Sequence, residues 1–500
     1  MGGVEVTRTA NPNPAYDLLV YGASPAGLGA AIAAARQGLR VLLAEPLGQI
    51  GGMVTGGLSR TDLGRPETVG GLFREFMDRV VGYYEQHYGP GSQQAKDCLE
   101  GQRFEPHVAL EILTEMVQEA GVEFCLDCTL STVEVAEDRI EQVTLSGADG
   151  RARIPASFFI DASYEGDLLA AAGCDFRTGR EPRSEYEEEY AGHLFWDPTK
   201  GRATDHGTGE GDHRIQAYCF RLTVTGDPAN RLPIERPADY DPSRYDLLKQ
   251  YLAAAPRRLK DVLLLGPLPN RKWDVNNWGF CWQSMDFIEA NGDYPEGPWE
   301  QRRWIAEQHR DYQWGLLHFL QNDRSVPSDL REEVSAFGLC QDEFPDRRGW
   351  PQQLYVREAR RLIGQHVFTE HDARRDRRKP DSVAVGSFPI DSHATQWYQI
   401  GQPMPAPEGF FMCSVRPYEI PYRALLPKSP RNLLVPVCMS ATHAGYGTLR
   451  MEPVMMNLGL ACGLAAAQAK ENGADFHTID VEKLQQSLEQ SGQIVHAPDR

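Results

Sequence analysis

Between Tyr16 and Glu45 the chain reads strand, glycine-rich turn, helix, strand, acid. Leu18 to Val20 make a short apolar strand. The turn is Gly22-x-Ser24-x-x-Gly27, and Pro25 and Ala26 open an alanine-rich helix that runs to about Gln37. Small side chains let such a helix lie close on a sheet. Gly38 ends it, Val41 to Ala44 form the second strand, and Glu45 stands where an acid accepts hydrogen bonds from a ribose. This is the order of a dinucleotide-binding βαβ unit, with the pyrophosphate on the helix N-terminus. Ser24 replaces the middle glycine, where a bare backbone lets the pyrophosphate approach. A serine still fits, and its hydroxyl can bond a phosphate. The competing reading is a βαβ unit whose glycines serve packing alone.

The residues after Glu45 bear on which dinucleotide is bound. Pro46 leads into a second glycine-rich loop with Gly51, Gly52 and Met53, where an NAD-binding unit would continue into a crossover helix. Such a loop can pass close to a flat, bulky ligand. No second fingerprint for NADPH follows. FAD as a resident cofactor is therefore expected, with Gly22, Ser24, Pro25, Ala26, Gly27, Glu45, Pro46, Gly51, Gly52 and Met53 around it.

The 500 residues exceed a single core and imply about two domains. A formal net charge of -19 speaks against nucleic acid and against an anionic membrane surface. No apolar run reaches membrane-spanning length, and the N-terminus lacks a charged-then-apolar signal pattern. A cytoplasmic protein is expected. Cys125 and Cys128 fall in an alternating, strand-like stretch, which predicts thiols on opposite faces rather than a redox pair. No second cysteine pair completes a zinc site, so no metal is expected.

Gly71 to Tyr88 has the spacing of an amphipathic helix, and Phe104 to Gly121 that of a second. A strand at Val122 to Cys128, a hairpin over Ser131 to Leu145 and an apolar strand ending in Asp161 follow. Asp161 either bonds the pyrophosphate or ribityl region or caps the next turn. The middle of the chain is richer in Trp, Tyr, Pro and Arg, with helices expected over Glu300 to Gln321 and Leu354 to His371. On the second of these, Arg357, Arg360 and Arg361 suggest a salt-bridged face. An apolar strand after Asn432 and a helix over Val454 to Lys470 resume the first pattern. The expected division is a FAD-binding part over 15–178, a substrate or cap domain over 179–409, a second FAD-binding part over 410–480, and tails at 1–14 and 481–500.

Taken together, the fingerprint with Gly51-Gly52-Met53, the run Asp161 to Asp167, Gly179-Arg-Glu181, Asn276-Asn277, Leu354 to Arg361, Asp391-Ser-His393, Ile420 to Arg423 and Ser440 to Pro453 resemble the FAD_oxidored family of FAD-dependent oxidoreductases. The resemblance spans about Tyr16 to Lys470. It implies an α/β fold: a Rossmann-like FAD-binding domain of the glutathione-reductase type with an inserted α+β cap. Some members carry the name xanthan lyase, which nothing in a flavin site explains.

A flavin dehydrogenase needs a proton acceptor beside the substrate and positive potential near the flavin. His443, in a glycine-rich loop, reads as an exposed base, with Arg450 following it. Pro453 begins a helix, so the backbone amides of Met455 and Met456 can face the flavin. His393, next to Gln396 and Trp397, is a second candidate base in the cap. The expected activity is oxidation of a small polar substrate at a CH–OH, CH–NH or CH–CH group, with oxygen or a redox partner as electron acceptor. Reduction of an activated C=C bond is the alternative. A flavin monooxygenase stands third, an RNA-modifying flavoprotein is disfavoured by the charge, and a non-enzymatic flavin scaffold stays open.

Overall fold

The computed structural model describes residues 16–197, 200–398 and 406–498. The expected tail at 1–14 lies outside them. Strand β1 (Tyr16–Tyr21) runs into helix α1 (Pro25–Arg36) and strand β2 (Val41–Ala44). Helices α2 (Gly71–Tyr88) and α3 (Pro106–Glu119) follow, then strand β3 (Glu123–Cys125). A meander of β4 (Thr129–Ala136), β5 (Arg139–Gly147) and β6 (Gly150–Asp161) returns the chain to the centre. β3, β2, β1 and β6 pair in parallel, while β6, β5 and β4 are antiparallel.

The insertion builds its own antiparallel sheet. Its strands are β7 (Leu222–Thr225), β8 (Arg231–Leu232), β9 (Leu263–Leu268) and β10 (Lys272–Asn277), with β11 (Gly338–Cys340) after the long helix α4 (Trp299–Asn322). The spatial order is β8-β11-β7-β10-β9. A short strand β12 (Ile390–Ser392) precedes the return. β13 (Leu433–Leu434) then pairs in parallel with β6, and helices α5 (His443–Leu449), α6 (Glu452–Asn472) and α7 (Val481–Gln490) complete the nucleotide unit. The segment from 481, expected as a tail, is thus a helix at least to Gln490, with Leu484 and Leu488 buried.

Glycines set the closest contact of this unit. A Cβ on Gly29, Gly459 or Gly463 would lie 2.3, 2.0 or 2.4 Å from the carbonyl oxygens of Met456, Ala26 and Ala30. The backbones of α1 and α6 therefore touch, and the alanine-rich sequence of both helices follows from that crossing.

Two local expectations are corrected. Leu354 to Leu362 is extended, with a strand at Arg361–Leu362, and the helix begins only at Glu370. Arg357 and Arg361 are buried and reach different acids, Asp286 and Glu181, which one helical face would not allow. Cys125 and Cys128 do not lie on opposite faces but are disulfide-bonded, because β3 ends at Cys125 and Asp127 turns the chain with φ 54°. Among the described residues no helix is long and apolar enough to cross a membrane.

Candidate cofactor and substrate site

The turn after β1 is built to leave backbone bare. Gly22 has φ +97°, and a Cβ there would meet the Ala162 and Ser163 backbones at 2.5 Å. Ser24 caps α1: its Oγ accepts the Gly27 N–H at 3.3 Å and donates to the Ala162 carbonyl at 2.7 Å. Its hydroxyl is thus spent on the fold rather than free for a phosphate. Pro25 occupies the first turn of α1, and Ala26 packs against Gly459.

Glu45 is 9% exposed and accepts the Ala23 N–H at 2.6 Å and the Leu47 N–H at 2.9 Å. Burial pushes its pKa to about 8, against the pull of those two amides. Beyond those two amides the carboxyl group keeps hydrogen-bonding capacity for ribose hydroxyls.

Gly22, Ser24, Glu45 and Pro46 line one cavity. The opposite wall comes from the insertion: Trp299, Arg303 and Arg310 of α4, with Gln353 and Leu354 of the extended run. Arg302 clamps this roof, donating to both oxygens of Asp167 at 2.7 and 2.8 Å just beyond β6. Tyr294 adds a hydrogen bond to Glu165 at 3.0 Å. Sequence reading assigned α4 to a cap and missed its part in the cavity. The Trp- and Arg-rich spacing of the helix was visible, but not where it folds back.

Other expected residues support this wall rather than line it. Asp161 accepts from the Ser163 N–H and hydroxyl and from the Leu169 N–H, so it fixes the turn after β6. Burial lifts its pKa to about 6 against these donors. Gly51 donates its N–H to the Ala23 carbonyl at 2.8 Å, and the Met53 N–H donates to the Tyr164 hydroxyl at 3.0 Å. Gly52 is closed off by Tyr164, whose hydroxyl oxygen a Cβ would meet at 2.4 Å. The two glycine loops are thereby locked together. Met455 and Met456 are core: the Met455 N–H is taken by Met451 within α6, and the Met456 carbonyl abuts Gly29.

His443 is not in an exposed loop. It is 2% exposed at the start of α5, with Nδ1 2.8 Å from Glu358 and Nε2 3.2 Å from Ser392 Oγ. Both ring nitrogens are engaged. His393 is the more open imidazole, its side chain 12% exposed. Its Nδ1 lies 2.6 Å from Asp286 and its Nε2 3.6 Å from Asp391. Arg450 bonds Asp391 at 2.8 Å and the Tyr355 hydroxyl at 2.9 Å. Burial would raise the pKa of Asp391, but the charge and hydrogen bond of His393 and the charge of Arg450 pull it down to about 2. Tyr355, which Arg450 bonds, directly follows the cavity residue Leu354 in the chain. Elsewhere, Glu105, His107 and Glu343 cluster at ligand spacing, but Lys272 Nζ already sits 2.7 and 2.6 Å from the two glutamates.

The family described as FAD dependent oxidoreductase matches residues 17–488. This chain belongs to it. It is an enzyme whose cofactor is FAD, and the bare turn at Gly22, the Glu45 carboxylate and the cavity between them fit that group. No curated protein matches the chain. Among solved structures, a geranylgeranyl bacteriochlorophyll reductase-like protein of Thermoplasma acidophilum is 11% identical, with 96% of this chain and 84% of that one covered at a TM-score of 0.37. AlpK is 17% identical, with 53% and 44% covered at a TM-score of 0.29. The chain spans less than half the length of the first such structures it matches. Likeness at this level carries nothing about substrate or reaction.

Proposed function

We propose that this FAD-dependent oxidoreductase oxidises a small polar substrate at a CH–OH, CH–NH or CH–CH group, with His393 receiving the substrate proton. Bound FAD supplies the hydride acceptor. The observation that carries the reading is the state of the two imidazoles: His443 is 2% exposed with both nitrogens engaged, whereas the His393 side chain is 12% exposed, with Nδ1 on Asp286 and Nε2 only at 3.6 Å from Asp391. The aspartates orient the ring and favour the charge it gains. Arg450 fixes Asp391 and adds positive potential beside it. His443 is a positioning residue, holding Ser392 and through it the neighbouring His393.

Oxidation is favoured over reduction of an unsaturated acid by the pairing of the cations. Arg221, Arg357 and Arg450 are matched by Asp274, Asp286 and Asp391, which leaves none of the three for a substrate carboxylate. Anaerobic mixing of the purified yellow protein with alcohols, amines and saturated acids tests the reading. Bleaching of the flavin band by one of these classes is expected. Reoxidation of pre-reduced protein by unsaturated acids, with no bleaching by any donor, would overturn it.

A further inference from the structure

Glu452 opens α6 at 1% exposure, and neither of its carboxyl oxygens is hydrogen-bonded to another residue. Buried polar groups are rarely left in that state, because desolvation without a partner costs several kcal/mol. The charged and titratable groups that act on it come from five places in the chain. Arg450 lies just before α6, Asp62 beyond the second glycine-rich loop, and Arg221 on the approach to β7. Tyr164 follows β6, and Tyr355 lies in the extended run. Both arginines are already matched, Arg221 by Asp274 and Arg450 by Asp391. Asp62, of like charge, is no partner for an ionised Glu452. Burial first, then the charge of Asp62, push the Glu452 pKa up to about 8. At neutral pH it is an uncharged acid, a donor with no acceptor.

Glu452 does not itself line the cofactor cavity, but Tyr164, whose phenol feels its charge, does. Tyr164 also holds the Met53 amide of the loop expected against the flavin. We propose that Glu452 is a positioning residue for bound FAD, its neutral carboxyl donating a hydrogen bond to the flavin and so making the cofactor easier to reduce. The inference rests on FAD binding and on no particular substrate. Negative charge arriving on the cofactor strengthens a hydrogen bond from a neutral acid and is opposed by a carboxylate.

The test is a redox titration of FAD-loaded protein from pH 6 to 10, together with the flavin absorption spectrum and FAD affinity. In the wild type the midpoint potential should fall more steeply above about pH 8, by the equivalent of one further proton per electron pair. Glu452→Gln keeps a donor, so it should retain FAD and a near-wild-type potential at neutral pH but lose the alkaline steepening. Glu452→Ala should lower the potential and shift the flavin band. If Glu452→Ala does not fold, the pH profile of Glu452→Gln decides alone. Steepening that persists in Glu452→Gln, or a Glu452→Ala protein with unchanged potential and spectrum, overturns the inference. A protein with these shifts that oxidises no tested donor leaves it standing and sinks only the substrate reading. A folded protein that binds no FAD overturns both.

Discussion

At the scale of single residues, two histidines close in space have opposite duties. His393→Asn removes the proton acceptor and should slow flavin reduction by roughly a hundredfold or more, the usual weight of a general base. FAD content should hardly move, while stability falls because Asp286 and Asp391 lose the imidazole between them. His443→Ala leaves the buried Glu358 with Arg361 as its remaining cation and should cost roughly 1–3 kcal/mol of stability, the range for orphaning a buried partner. Stopped-flow reduction separates the pair, and thermal unfolding measures both losses. Asp391 carries a pH signature. Its folded pKa of about 2 lies below the ordinary 3.8, so its stabilising effect is full above pH 4 and is lost as pH falls towards 2. At pH 7 Asp391→Asn should unfold about 2 kcal/mol more easily, by the conversion of roughly 1.4 kcal/mol per pKa unit. The gap should narrow under acid. Sequence reading found all three polar residues, Asp391, His393 and His443. It could not rank the histidines, because Glu358 stands 85 positions from His443 and burial there depends on that distant contact.

At the scale of elements, the α1–α6 crossing is the tightest joint of the nucleotide unit. Gly459→Ala drives a methyl against the Ala26 carbonyl at the first turn of α1. Overpacking of this kind costs roughly 1–3 kcal/mol. Because Ala26 neighbours the pyrophosphate turn, FAD affinity should fall with stability, whereas Gly473→Ala, where a Cβ meets nothing within 4 Å, should leave affinity intact. Calorimetry and FAD titration check both. The helices α1, α2, α3, α4 and α6 were legible because their apolar or small residues recur at helical spacing. The false helix after Leu354 arose where buried arginines imitate a charged face. An i, i+3, i+4 pattern of Arg and Glu looks alike whether it faces solvent or reaches into separate buried acids.

At the scale of the molecule, the insertion reaches the nucleotide unit itself. Helix α4 roofs the dinucleotide cavity and is tied to the nucleotide unit through Arg302 and Asp167. Arg302→Met should speed FAD release several-fold while the far-ultraviolet spectrum stays near wild type. Dilution into FAD-free buffer, followed by flavin fluorescence, measures it. The strand β13, which pairs with β6, was foreshadowed by the return of apolar patterning after Asn432. The roof was not, since it depends on how the insertion folds back over β6.

The split of the nucleotide unit has a consequence for biosynthesis. On the ribosome, the turn at Gly22 and the acid at Glu45 emerge early, yet β13 and α6, which pair with β6 and press on α1, are made only after the whole insertion has been translated. A nascent chain ending before Leu433 already has every residue that lines the cavity but leaves the α1 face open. Such a chain should hold FAD weakly until α6 docks on α1, so firm cofactor capture should follow translation of the last helices.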